Sequence, residues 1–268
     1  MTFNVRYDEP RDGPHAWAHR RSAALGLIRD HAPHLIALQE PTTAQWQDIA
    51  DALPGYLRFS GSTDDFSPDR PGGFVLTRRF AARREGVFWL SDTPSVAESE
   101  SWPHDWGPRA CAWIELHDRD RGDDLLFAST HFDTNGAAWL PSAEVVHIEL
   151  DKVAVGLPIL LAGDFNCPAG SSAHRYLCSR AGFRDGWLEA GCSDERVVTF
   201  NGFTPAVCLP DAEEPPFPPE AFAFGNYRID WILVKGDLRC ADATILRGAQ
   251  GCLPSDHYAV AATFDWSF

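Results

Sequence analysis

The chain has no C-x-x-C pair, no tandem repeat, no stripe of lysine and arginine, and no apolar run approaching membrane length. Each absence removes a class of function. Seven cysteines, at positions 111, 167, 178, 192, 208, 240 and 252, are an odd number without the close spacing of a zinc or redox site, which predicts buried thiols in a reducing compartment. The short apolar runs exclude a spanning helix. Met1 leads directly into "TFNVRY", without the basic and apolar regions of an export signal, so a cytoplasmic protein is expected. The 38 acidic residues against 23 lysines and arginines give a formal net charge of −15. A long polyanion is repelled by such a background unless a local basic groove overrides it, whereas a small anion held by a few cations and a metal is not.

The hydrophobic content of 44% is enough for a substantial core. Strand-like runs recur at 2–7, 34–39, 73–78, 110–116, 124–130, 158–163, 228–234 and 257–264. Helices are predicted at 16–30, 43–52, 142–154 and 171–181. Thr42 and Gln45 suit a capping box, and Ser142 and Ser171 or Ser172 are expected as N-caps. Interleaved helices and strands with no linker predict one layered α/β domain over residues 1–268, monomeric. The proline-rich, acidic stretch 208–224 reads as a surface insertion bordering the substrate entrance.

Polar residues end or interrupt many of these apolar runs. Glu40 closes "LIALQE", His131 and Asp133 close "LLFASTHFD", and Asp164 and Asn166 close "PILLAGDFN". Asp230 opens "RIDWILV", Asp256 and His257 precede the last strand, and Asn4 sits inside the first. Taken singly, each has an ordinary reading as a cap, a turn or a satisfied core group. Together they are five carboxylates, two amides and two imidazoles beside segments that must be buried. Unpaired buried carboxylates are costly and call for a shared neutraliser. Oxygen donors suit a hard cation, Mg²⁺ or Mn²⁺, and the pattern points to metal-assisted hydrolysis.

The ordered set "TFNVRY", "LQE", "STHFD", "GDFN", "RIDWILV" and "SDHYAV" resembles the endonuclease/exonuclease/phosphatase superfamily along nearly the whole chain. That superfamily spans DNase I-like nucleases, AP endonucleases, inositol polyphosphate 5-phosphatases, neutral sphingomyelinases and deadenylases. The N-terminal "TFNVRYDEPRDGPHAWAHRR" is similar to a bacterial subgroup of unassigned substrate. The resemblance implies a four-layer αββα sandwich of two mixed sheets. It implies a metal held by Glu40, with Asn4 supporting it and Asp256 binding directly or through water. Asp164 would orient or deprotonate the attacking water, and Asn166 would donate to a phosphoryl oxygen. His257, fixed by Asp230, would contact the phosphate or exchange protons, and His131 would donate to it. Asp133 would fix His131, join a second metal or read the substrate. Arg109 would contact phosphate, its alternative being a surface arginine in a solvated turn.

Further aromatic and basic residues have two readings each. Trp17, Arg20 and Arg21 reach a phosphate or sugar, or form an amphipathic helix with a tucked Trp and a basic outer face; the second is preferred. Phe200 and Phe203 could stack on a substrate ring, and Trp102 and Trp106 could wall the substrate. The expected activity is hydrolysis of a phosphomonoester or phosphodiester in a small substrate. The alternatives are a nuclease acting on RNA or DNA and an inactive binding module of the same fold.

Overall fold

The computed structural model describes residues 1–60, 71–194, 197–203, 227–248 and 253–266. Among the described residues, twelve strands form two mixed sheets of six. The first contains β1 (Thr2–Asn4), β2 (Leu35–Gln39), β3 (Tyr56–Ser60), β4 (Gly72–Leu76), β11 (Leu238–Leu246) and β12 (Ala259–Trp266), in the order β11-β12-β1-β2-β4-β3. The second contains β5 (Phe80–Trp89), β6 (Ala110–Asp118), β7 (Asp123–His131), β8 (Ile159–Asp164), β9 (Arg184–Asp185) and β10 (Asp230–Lys235), in the order β5-β6-β7-β8-β10-β9. The helices are α1 (Trp17–His31), α2 (Thr43–Ala52), α3 (Gly136–Ala154), α4 (Ser172–Ser179) and the single turn α5 (Gly186–Glu189).

Three apolar clusters fill the spaces between four layers. Leu35, Ala37 and Val75 of the first sheet meet Ile114, Phe127, Leu160, Ala162 and Ile232 of the second. Val146 and Leu150 of α3 and Leu177 of α4 cover the other face of the second sheet, against Leu161, Leu233 and Trp231. Leu27 and Ile28 of α1 and Trp46 and Ile49 of α2 cover the first, against Phe3, Ile36 and Phe74. Burying one such side chain contributes about 1.5–3 kcal/mol, so each layer stabilises the next. Alternation along a strand therefore sorts residues by layer. In β8, Leu160 and Ala162 face the opposing sheet while Ile159 and Leu161 face the helices.

The eight expected strands all form, each within a few residues of its predicted bounds, and they are the eight interior strands. The unexpected ones, β3, β5, β9 and β11, are the four sheet edges. β5 reads "FAARREGVFW", with Arg83, Arg84 and Glu85 exposed, and offers no apolar run to detect. The capping box of α2 is present, with Thr42 accepting from the Gln45 backbone N–H. Ser171 caps α4, accepting from the His174 N–H.

Two expectations are corrected. Helix α3 begins at Gly136 with Asn135 as its cap, not at Ser142. Pro141 lies inside it, where the missing N–H breaks one intrahelical bond, and Ser142 is buried instead of capping. Trp17 is tucked as expected, donating to Asp48 Oδ2 at 2.8 Å. Arg20, however, is not on an outer face: it is 1% exposed. Its guanidinium donates to the carbonyls of Val5, Arg6, Tyr7, His15 and Pro254. Arg21 is the solvated member, paired with Asp48 at 3.1 Å. The stretch 208–224 lies outside the described residues. Among the described residues, five cysteines are free thiols and no helix is long and apolar enough to cross a membrane.

Candidate active site

Register builds one half of the site. His131 ends β7, Asp164 ends β8 and Asp230 begins β10, and the ladder pairs His131 with Asp164 and Asp164 with Asp230. Three adjacent strands thus bring three ionisable side chains side by side. Each lies an even number of residues from neighbours packed against the opposing sheet: Phe127 for His131, Ala162 for Asp164 and Ile232 for Asp230. All three therefore stand on the inner face, at its rim. Gly163 makes this close pairing feasible, because a Cβ there would sit 2.2 Å from the Thr130 carbonyl oxygen.

The opposing sheet supplies the other half. Asn4 ends β1 and pairs with Gln39 of β2, and Glu40 follows directly. Glu40 has φ of +65°, a left-handed conformation that turns its carboxylate back towards Asn4. Asn166 turns likewise at φ +48°. Asp256 and His257 precede β12, and Ser255 Oγ ties their segment to the Asn4 carbonyl at 2.8 Å.

Asn4 is the seam between the sheets. Its Nδ2 donates to Glu40 Oε1 at 2.9 Å and to Asp164 Oδ2 at 3.0 Å. The same Asp164 oxygen lies 3.5 Å from His131 Nε2 and 3.6 Å from His257 Nε2. The other, Oδ1, accepts from the Asn166 N–H at 2.9 Å. His257 Nδ1 donates to Asp230 Oδ2 at 3.0 Å. Thr199 Oγ1 accepts from the N–H groups of Ile229 and Asp230, fixing the start of β10. Asn166 Nδ2 donates to the Phe132 carbonyl at 2.8 Å and lies 3.1 Å from His131 Nε2.

The charges are strongly coupled. Burial pushes the Asp164 carboxyl up, but the charge of His257 and the donors His131 and Asn4 outweigh it and hold it well below the usual range. Burial alone would lower His257; Asp230 and Asp164 reverse this and raise it to about 10. Asp230 is pushed up by burial, with Asp164 adding and His257 opposing. Asp256 is pushed up to about 6 by burial first and then by Glu40, against His257 and Arg6, whose Nε lies 3.7 Å from Asp256 Oδ2.

The donor set fits a hard divalent cation. Glu40, Asp164, Asp230 and Asp256 bring four carboxylates together. The Oδ1 atom of Asp230 is buried with no hydrogen-bond partner, and burial and Glu40 push Asp256 up in spite of His257 and Arg6. Ligand atoms of Asp164, Asp230 and His257 lie within 4.8 Å of one another. Asp230 and His257 already bond to each other, whereas Glu40 and Asp256 are the carboxylates whose mutual repulsion a cation would relieve.

Two predicted residues lie behind this cluster. Arg109 is 3% exposed, not in a solvated turn, and its Nη1 contacts His131 Nδ1 at 2.9 Å. Asp133 is fully buried and accepts from the N–H groups of Asp105, Trp106 and Asn135 at 2.8, 3.0 and 2.9 Å. It also faces Arg109 Nε at 3.5 Å. The aromatic candidates divide. Phe200 meets the His257 ring edge-on at 5.1 Å, and Phe203 already stacks on His15 at 4.5 Å. Trp102 packs against the core, while Trp106 is 62% exposed. Thr199 and Ser255 were not singled out; their signal lay only in the motifs that contain them, "VVTFNGF" and "SDHYAV". Arg20 was named as a phosphate or sugar contact or part of a basic outer helix face, and instead binds backbone carbonyls.

Comparison with known proteins gives the lineage. A search of curated proteins finds no match. Among solved structures, an endonuclease/exonuclease/phosphatase from Bacteroides vulgatus superposes with a TM-score of 0.84 at 24% identity, covering 99% of this chain and 97% of that one. A mannosyl-6-phosphatase from Bacteroides thetaiotaomicron gives 0.80 at 25% identity, over 99% and 98% of the two chains. D. rerio TDP2, complexed with a single-strand DNA product, gives 0.72 at 16%, over 98% and 97%. A family profile matches residues 1–257, and with it the chain belongs to the Endonuclease/Exonuclease/phosphatase family.

Proposed function

We propose that the protein is a divalent-metal-dependent phosphoesterase that hydrolyses a small phosphorylated substrate, a sugar phosphate foremost, by in-line attack of water. The observation that carries the reading is the setting of Asp164. It is a buried carboxylate, held ionised, with one oxygen facing Asn4 and two imidazole Nε2 atoms. Such a group orients a water and accepts its proton. His257, raised to about 10 and steadied by Asp230, carries a proton at neutral pH and offers Nε2–H to a phosphoryl oxygen. Asn166 and His131 present further donors where charge builds at phosphorus. Glu40 and Asp256, with Asn4 beside them, would hold Mg²⁺ or Mn²⁺. When bound, that ion would neutralise charge on the phosphoryl and leaving oxygens.

The substrate class rests on two supports. The chain is acidic overall, which disfavours long polyanions, and it shares 25% identity over nearly its whole length with the mannosyl-6-phosphatase. A panel of hexose phosphates, mononucleotides, phosphodiesters and short oligonucleotides, assayed with Mg²⁺ or Mn²⁺ and with chelator, tests it. Phosphate release from hexose phosphates that stops with chelator is expected. Cleavage confined to oligonucleotides and falling steeply with salt would reassign the protein as a nuclease. Inactivity on every ester would leave only a binding role.

A further inference from the structure

We infer that Arg6 is a specificity-determining residue whose guanidinium binds the extra charged oxygen that a phosphomonoester carries and a phosphodiester lacks. The inference rests on the phosphoesterase reading for its site and adds the charge of the substrate. Arg6 is aimed from the backbone outward. Its φ of +54° is a left-handed conformation, strained for any residue but glycine. It is held there from both sides. Its N–H donates to Asn4 Oδ1 at 2.9 Å, and its carbonyl accepts from Gln45 Nε2 at 2.8 Å and from Arg20 Nη2. The amide that joins the two sheets through its nitrogen thus turns Arg6 with its oxygen.

Asp12, in the short helical segment Pro10–His15, takes one edge of the guanidinium. Nε donates to Asp12 Oδ2 at 3.1 Å and Nη2 to Oδ1 at 3.2 Å, while the Tyr7 ring lies 4.3 Å from Cζ. The opposite edge, Nη1 with the second proton of Nη2, keeps donors of its own. Nη1 makes no hydrogen bond among the described residues and is not sealed, since the side chain is 24% exposed. The same group borders the carboxylate cluster: Nε lies 3.7 Å from Asp256 Oδ2, and the adjacent Tyr7 N–H reaches Glu40 Oε2 at 3.4 Å. An arginine clamped on one edge and open on the other is a fork for paired anionic oxygens. A surface ion pair with Asp12 contributes little by itself and does not account for the strained backbone that aims it. A monoester phosphate offers three non-bridging oxygens and about two negative charges at neutral pH, so one charged oxygen is left over for Arg6 after His257 and Asn166 are served. In a diester the second ester group stands in that place, with neither the charge nor the paired acceptors.

The test has a binding arm and a kinetic arm. Inorganic phosphate and dimethyl phosphate are titrated calorimetrically into the full-length protein, at a Mg²⁺ concentration that saturates each variant. Arg6→Gln should weaken inorganic phosphate by about tenfold or more and dimethyl phosphate by less than about threefold, the loss of a charge-assisted fork felt by one anion only. Arg6→Lys, a charge without the fork, should fall between. In turnover, Arg6→Gln should lower kcat/KM for a hexose phosphate by about the same factor and leave methyl p-nitrophenyl phosphate within about threefold. Should Arg6→Gln not fold, Asp12→Asn replaces it, releasing the clamped edge with a smaller loss in the same sense. Equal weakening of both anions, or unweakened inorganic phosphate, overturns the inference. The two readings also fail separately. Phosphate binding that needs Arg6 in a protein that hydrolyses no ester would uphold Arg6 and sink the esterase, whereas a hexose-phosphate hydrolase indifferent to Arg6→Gln would do the reverse.

Discussion

Oxygen Oδ2 of Asp164 faces one amide and two imidazoles, so its charge is the hub on which the other ionisations turn. Asp164→Asn should cut turnover by about 10²–10⁴-fold, the usual worth of a placed base. Circular dichroism and melting should show the variant folded, and normal turnover would remove Asp164 from the chemistry. His257 gives a second prediction at this scale. Its proton is held to about 10 in the folded chain, against an ordinary value of 6.5. Folding therefore binds that proton more tightly, and the stabilisation is complete below about 6.5 and lost as pH climbs towards about 10. Asp256, raised from 3.8 to about 6, loses its share over that lower window. The melting temperature should fall on the alkaline side, and His257→Gln should flatten the slope between pH 6.5 and 10. A His257→Gln variant that keeps the wild-type slope would show that other groups govern it.

The strand tip at Gly163 joins packing to chemistry at the scale of elements. A Cβ there would meet the Thr130 carbonyl oxygen at 2.2 Å, which no rotamer relieves because the obstacle is backbone. Gly163→Ala should force β7 and β8 apart next to Asp164, costing about 1–3 kcal/mol by overpacking and lowering activity more than stability. Thr42→Ala serves as the contrast. Losing the α2 cap should cost about 1 kcal/mol and leave turnover alone, as chemical denaturation and rate assays would show. These elements were unequally legible in the sequence. Interior strands announce themselves because both faces are buried and the run is apolar throughout. Edge strands such as β5 and β11 alternate with solvent and carry charge, so nothing in composition separates them from loops. The candidate site was legible from the set and not from its members: each carboxylate or imidazole has an ordinary reading alone, but so many at the ends of buried runs call for a common partner. Arg20 and the bonds of Asp133 were not, because their partners are backbone groups, carbonyls for Arg20 and N–H groups for Asp133, largely from segments distant in sequence.

At the scale of the whole molecule, neither sheet owns the site. Asn4, Glu40, Asp256 and His257 come from the ends of the first sheet's strands, and His131, Asp164 and Asp230 from the second's. Sliding or parting of the sheets would separate Asn4 from Asp164 before any strand melted. Activity and near-ultraviolet dichroism should therefore be lost at the same urea midpoint. Activity vanishing well before the aromatic signal would mean that the sheets separate in a distinct earlier step.

The inner-face parity of His131, Asp164 and Asp230 also limits how such a chain can vary in length. Residues added to a surface turn leave the count within each strand untouched. A single residue inserted between Leu160 and Gly163 would reverse the sense of everything after it, turning the Asp164 carboxylate towards the helices and away from its partners. An insertion of two would restore the direction but push the carboxylate past its neighbours on β7 and β10. Growth and deletion are thus confined to the connections, where the reach of the site can change while its spacing cannot.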